Sequence, residues 1–479
     1  MLGLFGMLNL GARSLQTQRQ GVEVAGQNLA NVNNPAYARQ RLAIQTSISI
    51  NGPLGPQGTG ADAVAIVQLR SSILDNQLQA EASVRGALQT GQMALQYAQS
   101  TLGTQLDRLA SGTAGSDAAQ GVGGAHNLGQ GLADLFNSFQ SLSANATPSA
   151  SMAERQALLQ AATGLTTQFN QIDQRLGNLT SSLNDAVQAD VESANQLFAE
   201  IAKLNERIGH VEASANGVAN DLRDLRQQKI EQLAGLVKLE VATGTDGAVN
   251  LSVAGTTMVS GILVNDTLET YDAGAGQLLL RAAASGTPLT LTGGSLQGAI
   301  DARDGSIAAL RSDLNSLASL LISEVNAVHA AGFSLTGSTG ANFFTGTTAA
   351  DISVNAALLG NPALVQAAGV AGAPADNQTA LALAQLAVKP HAALNGLTFS
   401  QGYSQTVAAL GQSLASVNTQ LTDQQVVENM LLRQRDAISG VSLDEEMTDL
   451  TRYQKAFAAS ARLISTVDEM LDTVLNMKR

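Results

Sequence analysis

The side chains that could transfer protons or bind a metal are few in this chain, and their spacing matches no known catalytic pattern. The four histidines are isolated from one another: His126, His210, His329 and His391. None forms the HExxH or HxxxH spacing that places two zinc ligands on one face of a helix. Asp221 and Asp224 lie on a predicted helix, where solvated or salt-bridged carboxylates are the usual finding.

Motifs for nucleotides and for acyl transfer are missing as well. The chain has no Gly-Lys dipeptide, and therefore no P-loop, and it has no GxSxG nucleophile elbow. The glycines of 121–131 do not follow a predicted strand and match no dinucleotide-binding fingerprint, so we interpret them as part of a linker. We therefore predict no catalytic residue, no metal site and no cofactor, and we expect that the protein is not an enzyme.

Composition excludes further classes of protein. The net charge of −13 argues against nucleic acid as a partner, because neutralising phosphates requires clustered Lys and Arg. The absence of cysteine excludes disulfides and Cys-ligated metals. Gly and Pro interrupt the apolar stretch 356–388, so we expect no membrane insertion. The first residues carry no Lys or Arg before their apolar run and no clear cleavage site, so export would not use a cleaved leader.

The strongest pattern lies at the two ends of the chain. Apolar residues recur every seven positions near the start, at Leu8, Leu15, Val22 and Leu29. They do so again near the end, at Leu443, Leu450, Phe457, Ile464 and Leu471, with Tyr453 three residues after Leu450. A seven-residue apolar repeat predicts a helix that needs a partner helix. We therefore predict that the two ends pair with each other or with neighbouring subunits, as in a building block of an assembly.

Local signals mark the limits of these terminal helices. The first should end near 31–34, because Asn tolerates a left-handed cap and Pro35 disfavours helix in the residue before it. Ser442 and Glu445 fit a capping box at the start of the last helix. Glu446 lies in the same first turn, where the helix dipole favours acidic residues.

The interior of the chain alternates between helical and strand-like patterns. Alternating residues over 42–50 predict a strand ending at an Asn-Gly turn, and 51–60 reads as a loop. Helix is predicted from about Val64 to Leu109 and again over the long stretch that begins near Ser151, where one slip of the apolar stripe indicates a skip or a break. Short apolar runs over 239–292 predict a small antiparallel β-region.

These elements predict a mainly α protein with paired terminal helices of coiled-coil type, a long helical rod domain and a small inserted antiparallel β-domain. We assign the terminal helical domain to 1–60 plus 440–479, the rod to 61–236 plus 296–439, and the β-rich outer domain to 237–295. Nesting of the segments predicts that the β-domain lies at the tip of the rod.

The first terminal segment resembles a known motif. AGQNLANVNNPAYARQR resembles the N-terminal motif of bacterial flagellar axial proteins, with matching residues at Asn28, Asn31, Asn33, Pro35 and Tyr37. The next residues, Arg39-Gln40-Arg41, resemble the branch that joins hook and filament. At the other end, 440–475 is similar to the C-terminal motif of the flagellar hook-associated protein 1 (FlgK) family.

The resemblance extends over most of the chain. Residues 191–208 and 217–228 resemble the rod domain of that family, and so do 293–304 and 325–344. Two departures are visible. The Arg-x-x-Asp pattern expected after the first linker is blurred in LRSSILDNQ (69–77), and the short β-region implies that an additional outer domain of longer members is missing.

The resemblance implies a structural subunit that joins the hook to the filament of the bacterial flagellum, outside the cell. It implies leaderless export by the flagellar type III system, a ring-like assembly of copies, and contacts with the hook protein and a second junction protein. It further implies an export chaperone on the C-terminal helix. The assembly interface would comprise the apolar heptad residues of both ends, Tyr453, and the motif residues Asn28, Asn31, Asn33, Pro35 and Tyr37.

Two alternatives share the leaderless, helical, Cys-free character of this chain. One is a type III secreted helical translocator that acts on membranes, and the other is a different flagellar axial subunit of the hook or rod. For the free chain, we expect 1–35 and 440–479 to be disordered until they are buried in an assembly, because an isolated amphipathic helix is marginal in water.

Overall fold

The computed structural model describes residues 3–52, 55–102, 127–145, 147, 151–215, 217–244, 247–274 and 276–477. Helices dominate these residues. In chain order they are α1 (Leu4–Ala30), α2 (Ser72–Thr101), α3 (Leu128–Ala144), α4 (Ser151–Ala215), α5 (Asn220–Leu236), α6 (Gly294–Asp301), α7 (Ala308–Ala330), α8 (Ala356–Gly360), α9 (Gln378–Gln385), α10 (Phe399–Ser439) and α11 (Leu443–Asn476). A π-helical turn, Ala302–Ile307, joins α6 to α7.

The strands are short and pair antiparallel. They are β1 (Gln40–Thr46), β2 (Ser49–Gly52), β3 (Gly55–Gly58), β4 (Ala61–Gln68), β5 (Glu240–Thr243), β6 (Val249–Val253), β7 (Thr256–Ser260), β8 (Leu263–Val264), β9 (Leu268–Asp272), β10 (Leu278–Ala282), β11 (Phe344–Thr345) and β12 (Ser353–Val354). Strands β5 to β8 form one four-stranded sheet, and the other described strands pair in twos. The predicted mainly α class with small antiparallel sheets is confirmed.

The long helix α4 forms the backbone of the rod. Its 65 residues correspond to a length of about 98 Å. The slip in its apolar stripe does not break the helix, because Leu183, Val187 and Val191 are all buried at successive steps of four. A period of 3.6 residues per turn accommodates such a step, so the buried face continues without interruption.

One segment predicted as helix is a strand. Residues 64–68 belong to β4, which pairs with β1 in the register Leu42 to Ile66, and α2 begins only at Ser72. The backbone groups of ADAVAIVQ form hydrogen bonds with β1, which lies some 20 residues earlier. Local periodicity does not reveal such a partner. Much of the predicted linker before α3, including His126, lies outside the described residues.

The β-region does not lie at the tip of the rod, contrary to the prediction. Asn side chains spaced along the second half of α4 bind it: Nδ2 of Asn184, Asn195 and Asn205 donates to the carbonyls of Gly276, Leu268 and Val249 at 2.9, 2.8 and 2.9 Å. The strands therefore lie along the side of α4. The opposite half of α4 contacts the segment around Ala349, through a 2.9 Å bond from Asn170.

Candidate assembly surface of the terminal helices

The helices α1 and α11 pair through small residues on α1. A Cβ atom added to Gly11 would lie 2.7 Å from Cγ1 of Ile464, and one added to Gly21 would lie 2.6 Å from the ring of Tyr453. Between these two points, the hydroxyls of Ser14 and Ser460 are 2.7 Å apart. The two backbones approach closely because side chains on one helix fill positions where the other has almost none.

Most predicted heptad residues lie at the margins of this contact. None of them is fully buried. Half-buried are Leu8, Leu15, Val22, Leu29, Leu450, Tyr453, Ile464 and Leu471. Leu443 and Phe457 are exposed, at 53 % and 40 % of their surface. The structure thus brings Tyr453 and Ile464 against α1, while the other members of the heptad set remain only partly covered.

Further large apolar side chains of the pair face solvent. Phe5 is 72 % exposed and Leu475 is 69 % exposed. Met7, Leu463, Met470 and Val474 are exposed as well. Apolar residues scattered singly on a surface are ordinary, whereas the number of exposed ones on this helix pair makes it a candidate interaction surface.

The predicted disorder of the two ends is wrong for the single chain. Both segments are helical, and they pair with each other. The close contacts at Gly11 and Gly21 supply a partner within the chain. A buried polar network at the base of the pair supplies further contacts.

Asn28 is the centre of this polar network. It is 1 % exposed, and its Nδ2 donates to the carbonyl of Gln40 at 2.9 Å and to Glu446 Oε2 at 3.0 Å. Its Oδ1 accepts from the Tyr37 hydroxyl at 2.8 Å and from the Gln40 backbone N–H at 3.0 Å. The motif residues Asn28 and Tyr37 therefore hold the end of α1, the start of β1 and the first turn of α11 together.

Arg39 and Glu446 complete the network. Arg39 Nε donates to Glu446 Oε1 at 2.7 Å, and its Nη1 donates to Glu445 Oε2 at 2.5 Å. Glu446 is 3 % exposed, whereas the Glu445 side chain is 63 % exposed. From the sequence, Glu446 is predicted only to interact favourably with the dipole of α11. Its burial depends on Asn28 and Arg39, which lie some 400 positions earlier. Ser442 occupies the N-cap position of α11, but its side chain makes no capping hydrogen bond, so the predicted capping box with Glu445 is wrong.

The remaining motif residues border an open groove. Asn31 follows the last residue of α1, and its Nδ2 donates to the carbonyl of Gln27 at 3.0 Å. Asn33 and Pro35 are exposed. With Ser439 they line a groove of about 320 Å³ between the segment that follows α1 and the end of α10. These residues end the helix and redirect the chain, and they do not join the buried network.

A second set of charges connects this region to the rod. Arg70 donates from Nε to Asp75 and from Nη1 to Asp224, both at 2.7 Å. Asp224 also accepts from the Ala38 backbone N–H at 3.2 Å. Burial raises the pKa of Asp224 to about 6, although the Ala38 N–H and Arg70 lower it and Asp221 raises it further. In place of the blurred Arg-x-x-Asp pattern, Arg70 and Asp75 form an ion pair at a spacing of five residues.

His329 has a structural environment. It is fully buried, its Nδ1 lies 2.7 Å from the Ala341 carbonyl, and its Nε2 accepts from the Gln366 N–H at 3.0 Å. Burial lowers the pKa of His329 to about 4. Within the described residues no group of three or more His, Asp or Glu could hold a metal ion. The helices described here include none that is long and apolar enough to span a membrane.

Comparison with known families indicates the class of protein that has this architecture. Residues 434–477, which include α11, match the family model for the C-terminal part of flagellar basal body rod FlgEFG proteins. Residues 117–344 match the model described as the helical domain of the flagellar hook-associated protein FlgK. The paired ends and the rod therefore define an axial protein of the bacterial flagellum.

Relatives match over nearly the whole chain. Flagellar hook-associated protein 1 of Bacillus subtilis is 26 % identical, covering 99 % of both chains. That of Escherichia coli is 23 % identical, covering 98 % of this chain and all of its own. The flagellar hook junction protein FlgK from Burkholderia pseudomallei has the same fold, with a TM-score of 0.64 at 15 % identity over 76 % of this chain and all of its own. This chain is therefore similar to flagellar hook-associated protein 1 over nearly its whole length and has a FlgK-like fold.

Proposed function

We propose that this chain is a structural, non-catalytic subunit that joins the hook to the filament of the bacterial flagellum. Copies would assemble in a ring-like layer by packing their terminal helix pairs side by side. Similarity to flagellar hook-associated proteins supports the location, and the terminal helix pair supports the mode of assembly. The predicted partners are therefore further copies of the chain, the hook protein on one side and a second junction protein on the other.

The observation that carries this proposal is the unequal burial of the terminal pair. Small residues of α1 make the contact within the chain, whereas Phe5, Phe457 and Leu475 remain exposed. Burying such side chains between copies would be favourable by about 1.5–3 kcal/mol for each one that becomes fully covered. A pair that is already folded presents this surface without first ordering it.

The proposed interface comprises the heptad residues of both ends and the five motif residues. Within it the structure supports two roles. The heptad residues leave apolar surface for neighbours, and Asn28 and Tyr37 hold the pair in a fixed orientation. The division into a terminal domain, a rod and a β-rich outer domain at the predicted limits remains part of the proposal, with the β-domain beside α4.

The proposal also includes the route by which the chain leaves the cell. We infer that the chain leaves the cell unfolded and uncleaved through the flagellar type III channel, and that a chaperone covers the C-terminal helix beforehand. The exposed apolar residues of α11 support this, because Leu463, Met470 and Val474 would otherwise favour early association in the cytoplasm. Copurification of the chaperone with the intact chain, lost when 443–476 is removed, would test it.

The decisive experiment removes the gene from its source bacterium. The expected result is bare hooks by negative-stain microscopy, with flagellin recovered from the culture medium. Normal filaments on the mutant cells would refute the junction role. Cells without hooks would instead favour a hook or rod subunit, the alternative that the match of the C-terminal segment to rod proteins keeps open.

A single substitution tests the mode of assembly. Phe457→Ala should prevent filament attachment while the purified protein keeps its normal melting curve, because the side chain is 40 % exposed in one chain. If neighbours bury it fully, its loss costs about 3–5 kcal/mol in each copy. Val388→Ala is the control, since Val388 is 75 % exposed and lies on the rod. Early melting of the Phe457 variant would show that the residue supports the single chain instead.

A further inference from the structure

The terminal helices and the strands beside them form a body that is separate from the rod. Helices α1 and α11 pack on each other, and α1 also packs on β1 and β4. Among the described residues, the large apolar core of the rod lies between Ala94 and Leu414 and includes none of these elements. We call α1, β1 to β4 and α11 the terminal unit. The stretches 69–71 and 440–442 connect it to the rod.

The terminal unit meets the rod at the first two turns of α5, through polar contacts. Asn220 Nδ2 donates to the Ile66 carbonyl at 3.0 Å, and the Asn220 carbonyl accepts from Gln68 Nε2 at 2.9 Å. Asp221 Oδ1 accepts from Gln40 Nε2 at 3.1 Å. The start of α5 is therefore bonded to both β1 and β4.

Asp224 is the central residue of this contact. It lies four positions after Asn220, on the same face of α5, and it is buried. Its Oδ1 accepts from Arg70 Nη1 at 2.7 Å, and its Oδ2 accepts from the Ala38 N–H at 3.2 Å. Ala38 comes shortly before β1 and Arg70 shortly after β4, so one carboxylate binds both ends of the paired strands. Asp221, in the same part of the helix, is exposed.

Contacts of this kind can open more easily than a packed apolar interface. Each hydrogen bond contributes only about 0.5–1.5 kcal/mol net, because water replaces the lost partner. Open space is present on both sides of Arg70. A groove of about 320 Å³ lies toward the end of α10, and another of about 340 Å³ lies between β4, α2 and α5. The terminal unit can therefore move relative to α5 without displacing a packed core.

The two connecting stretches are suited to act as hinges. Each is a short segment at the ends of regular elements, which is where hinges absorb changes of backbone angle. Beside the second stretch, the Arg39 N–H donates to the Ser439 carbonyl at 2.8 Å. That bond lies next to the chain crossing itself, so it restrains the angle less than the contacts of Asp224 on α5.

We propose that Asp224 is the positioning residue that fixes the angle between the terminal unit and the rod, and that without it the unit swings as one body about 69–71 and 440–442. The consequence for assembly rests on the proposed function: where terminal pairs pack side by side, this angle decides where each rod and its β-region lie. The angle itself is a property of the single chain, so its test is independent of the junction role.

The absence of native cysteine allows the angle to be measured with spin labels on the purified full chain. One label is attached at Ser465→Cys on α11 and the other at Val426→Cys on α10, both at exposed positions. Double electron–electron resonance then gives the distribution of distances across the contact. A second pair, Gln27→Cys with Ser465→Cys, lies wholly within the terminal unit and shows whether that unit stays intact. Asp224→Ala is the test variant, and Asp221→Ala is the matched control.

Without a substitution in α5, we expect one narrow distribution of distances between the labels at 465 and 426. Asp224→Ala should broaden it several-fold and leave the distribution for 27 and 465 unchanged, whereas Asp221→Ala should change neither. A distribution that stays narrow in Asp224→Ala would overturn the proposal, as would one that is already broad without it. Equal broadening for 27 and 465 would also overturn it, because the unit would then be unfolding.

A milder variant keeps the proposal testable if Asp224→Ala does not fold. Asp224→Asn retains an oxygen that can accept from the Ala38 N–H, but it loses the negative charge that binds Arg70. We expect a distribution between the labels at 465 and 426 that is broader than in Asp221→Ala, again with no change for 27 and 465. Equal widths in Asp224→Asn and Asp221→Ala would contradict a positioning role for the carboxylate.

Discussion

Glu446 is the residue whose replacement best tests the polar network at the base of the terminal pair. It is 3 % exposed, and its two oxygens accept from Asn28 at 3.0 Å and from Arg39 at 2.7 Å. Its neighbour Glu445 accepts from the same arginine at 2.5 Å, but its side chain is 63 % exposed. The two acidic residues share a partner and differ in burial, so Glu445→Ala is a matched control for Glu446→Ala.

The expected loss of stability for Glu446→Ala depends on which hydrogen-bonding groups lose a partner. Removing one partner of a buried ion pair costs about 3–5 kcal/mol when the other charge is left alone. Here Arg39 keeps Glu445, and Asn28 keeps the Gln40 carbonyl, so both retain one acceptor. The loss is then that of hydrogen bonds to a charged group, and we expect about 2–4 kcal/mol for Glu446→Ala. For Glu445→Ala we expect less than about 1 kcal/mol, because the pair is mostly solvated.

Hydrogen exchange of the α11 amides is the appropriate assay, because the pair can open locally without unfolding of the rod. A cost of 2–4 kcal/mol corresponds to exchange about 30 to 1,000 times faster over the first turns of α11. The amides of α4, which lie in the rod, should be unchanged. If Glu445→Ala accelerates exchange as much as Glu446→Ala does, the buried network does not hold the helix and the reasoning fails.

Two further predictions concern packing and pH. Gly21→Ala places a methyl group against Tyr453 and should strain the pair by about 1–3 kcal/mol, whereas Gly26→Ala, with nothing within 4 Å, should stabilise α1 by about 0.5–1 kcal/mol. Equal urea midpoints for the two variants would contradict close packing at Gly21. For His329, the pKa of about 4 lies below the ordinary 6.5, so its stabilisation is present above pH 6.5 and is lost as the pH falls toward 4. The full loss is about 3 kcal/mol, and a urea midpoint that does not fall over this range would refute it.

The parts of the fold that follow a local pattern could be predicted from the sequence. The heptads of α1 and α11 and the apolar stripe of α4 specify helices, because a periodic apolar face is itself the signal. The strand β4 could not be predicted, because its partner β1 lies about 20 residues away and its Ala- and Val-rich sequence suits a helix or a strand. The side-on position of the β-region depends on Asn184, Asn195 and Asn205, whose amides reach strand carbonyls that are remote in sequence.

Part of the candidate assembly surface could likewise be predicted from the sequence, and part could not. Phe457 and Leu443 could be identified as interface candidates from spacing alone, yet their exposure in the single chain could not, because it depends on which face of α11 meets α1. That face is set by Gly11 and Gly21, which periodic patterns of large apolar residues do not include. Likewise, the sequence predicts only that Glu446 lies in the first turn of α11. Its burial could not be predicted, because it depends on contacts with Asn28 and Arg39.

The burial pattern of the terminal pair also explains why a seven-residue repeat is present at all. Had the repeat evolved for contact within the chain alone, its residues would be the most buried ones, yet in α1 the buried positions are mainly small or polar, including Gly11, Thr17 and Gly21. The heptad residues lie at the margins of that contact, where a third helix would complete their burial. In such an arrangement, one face of the helix pair makes the contact between α1 and α11 within the chain. The other face is left to contact a neighbouring copy, as our proposal requires.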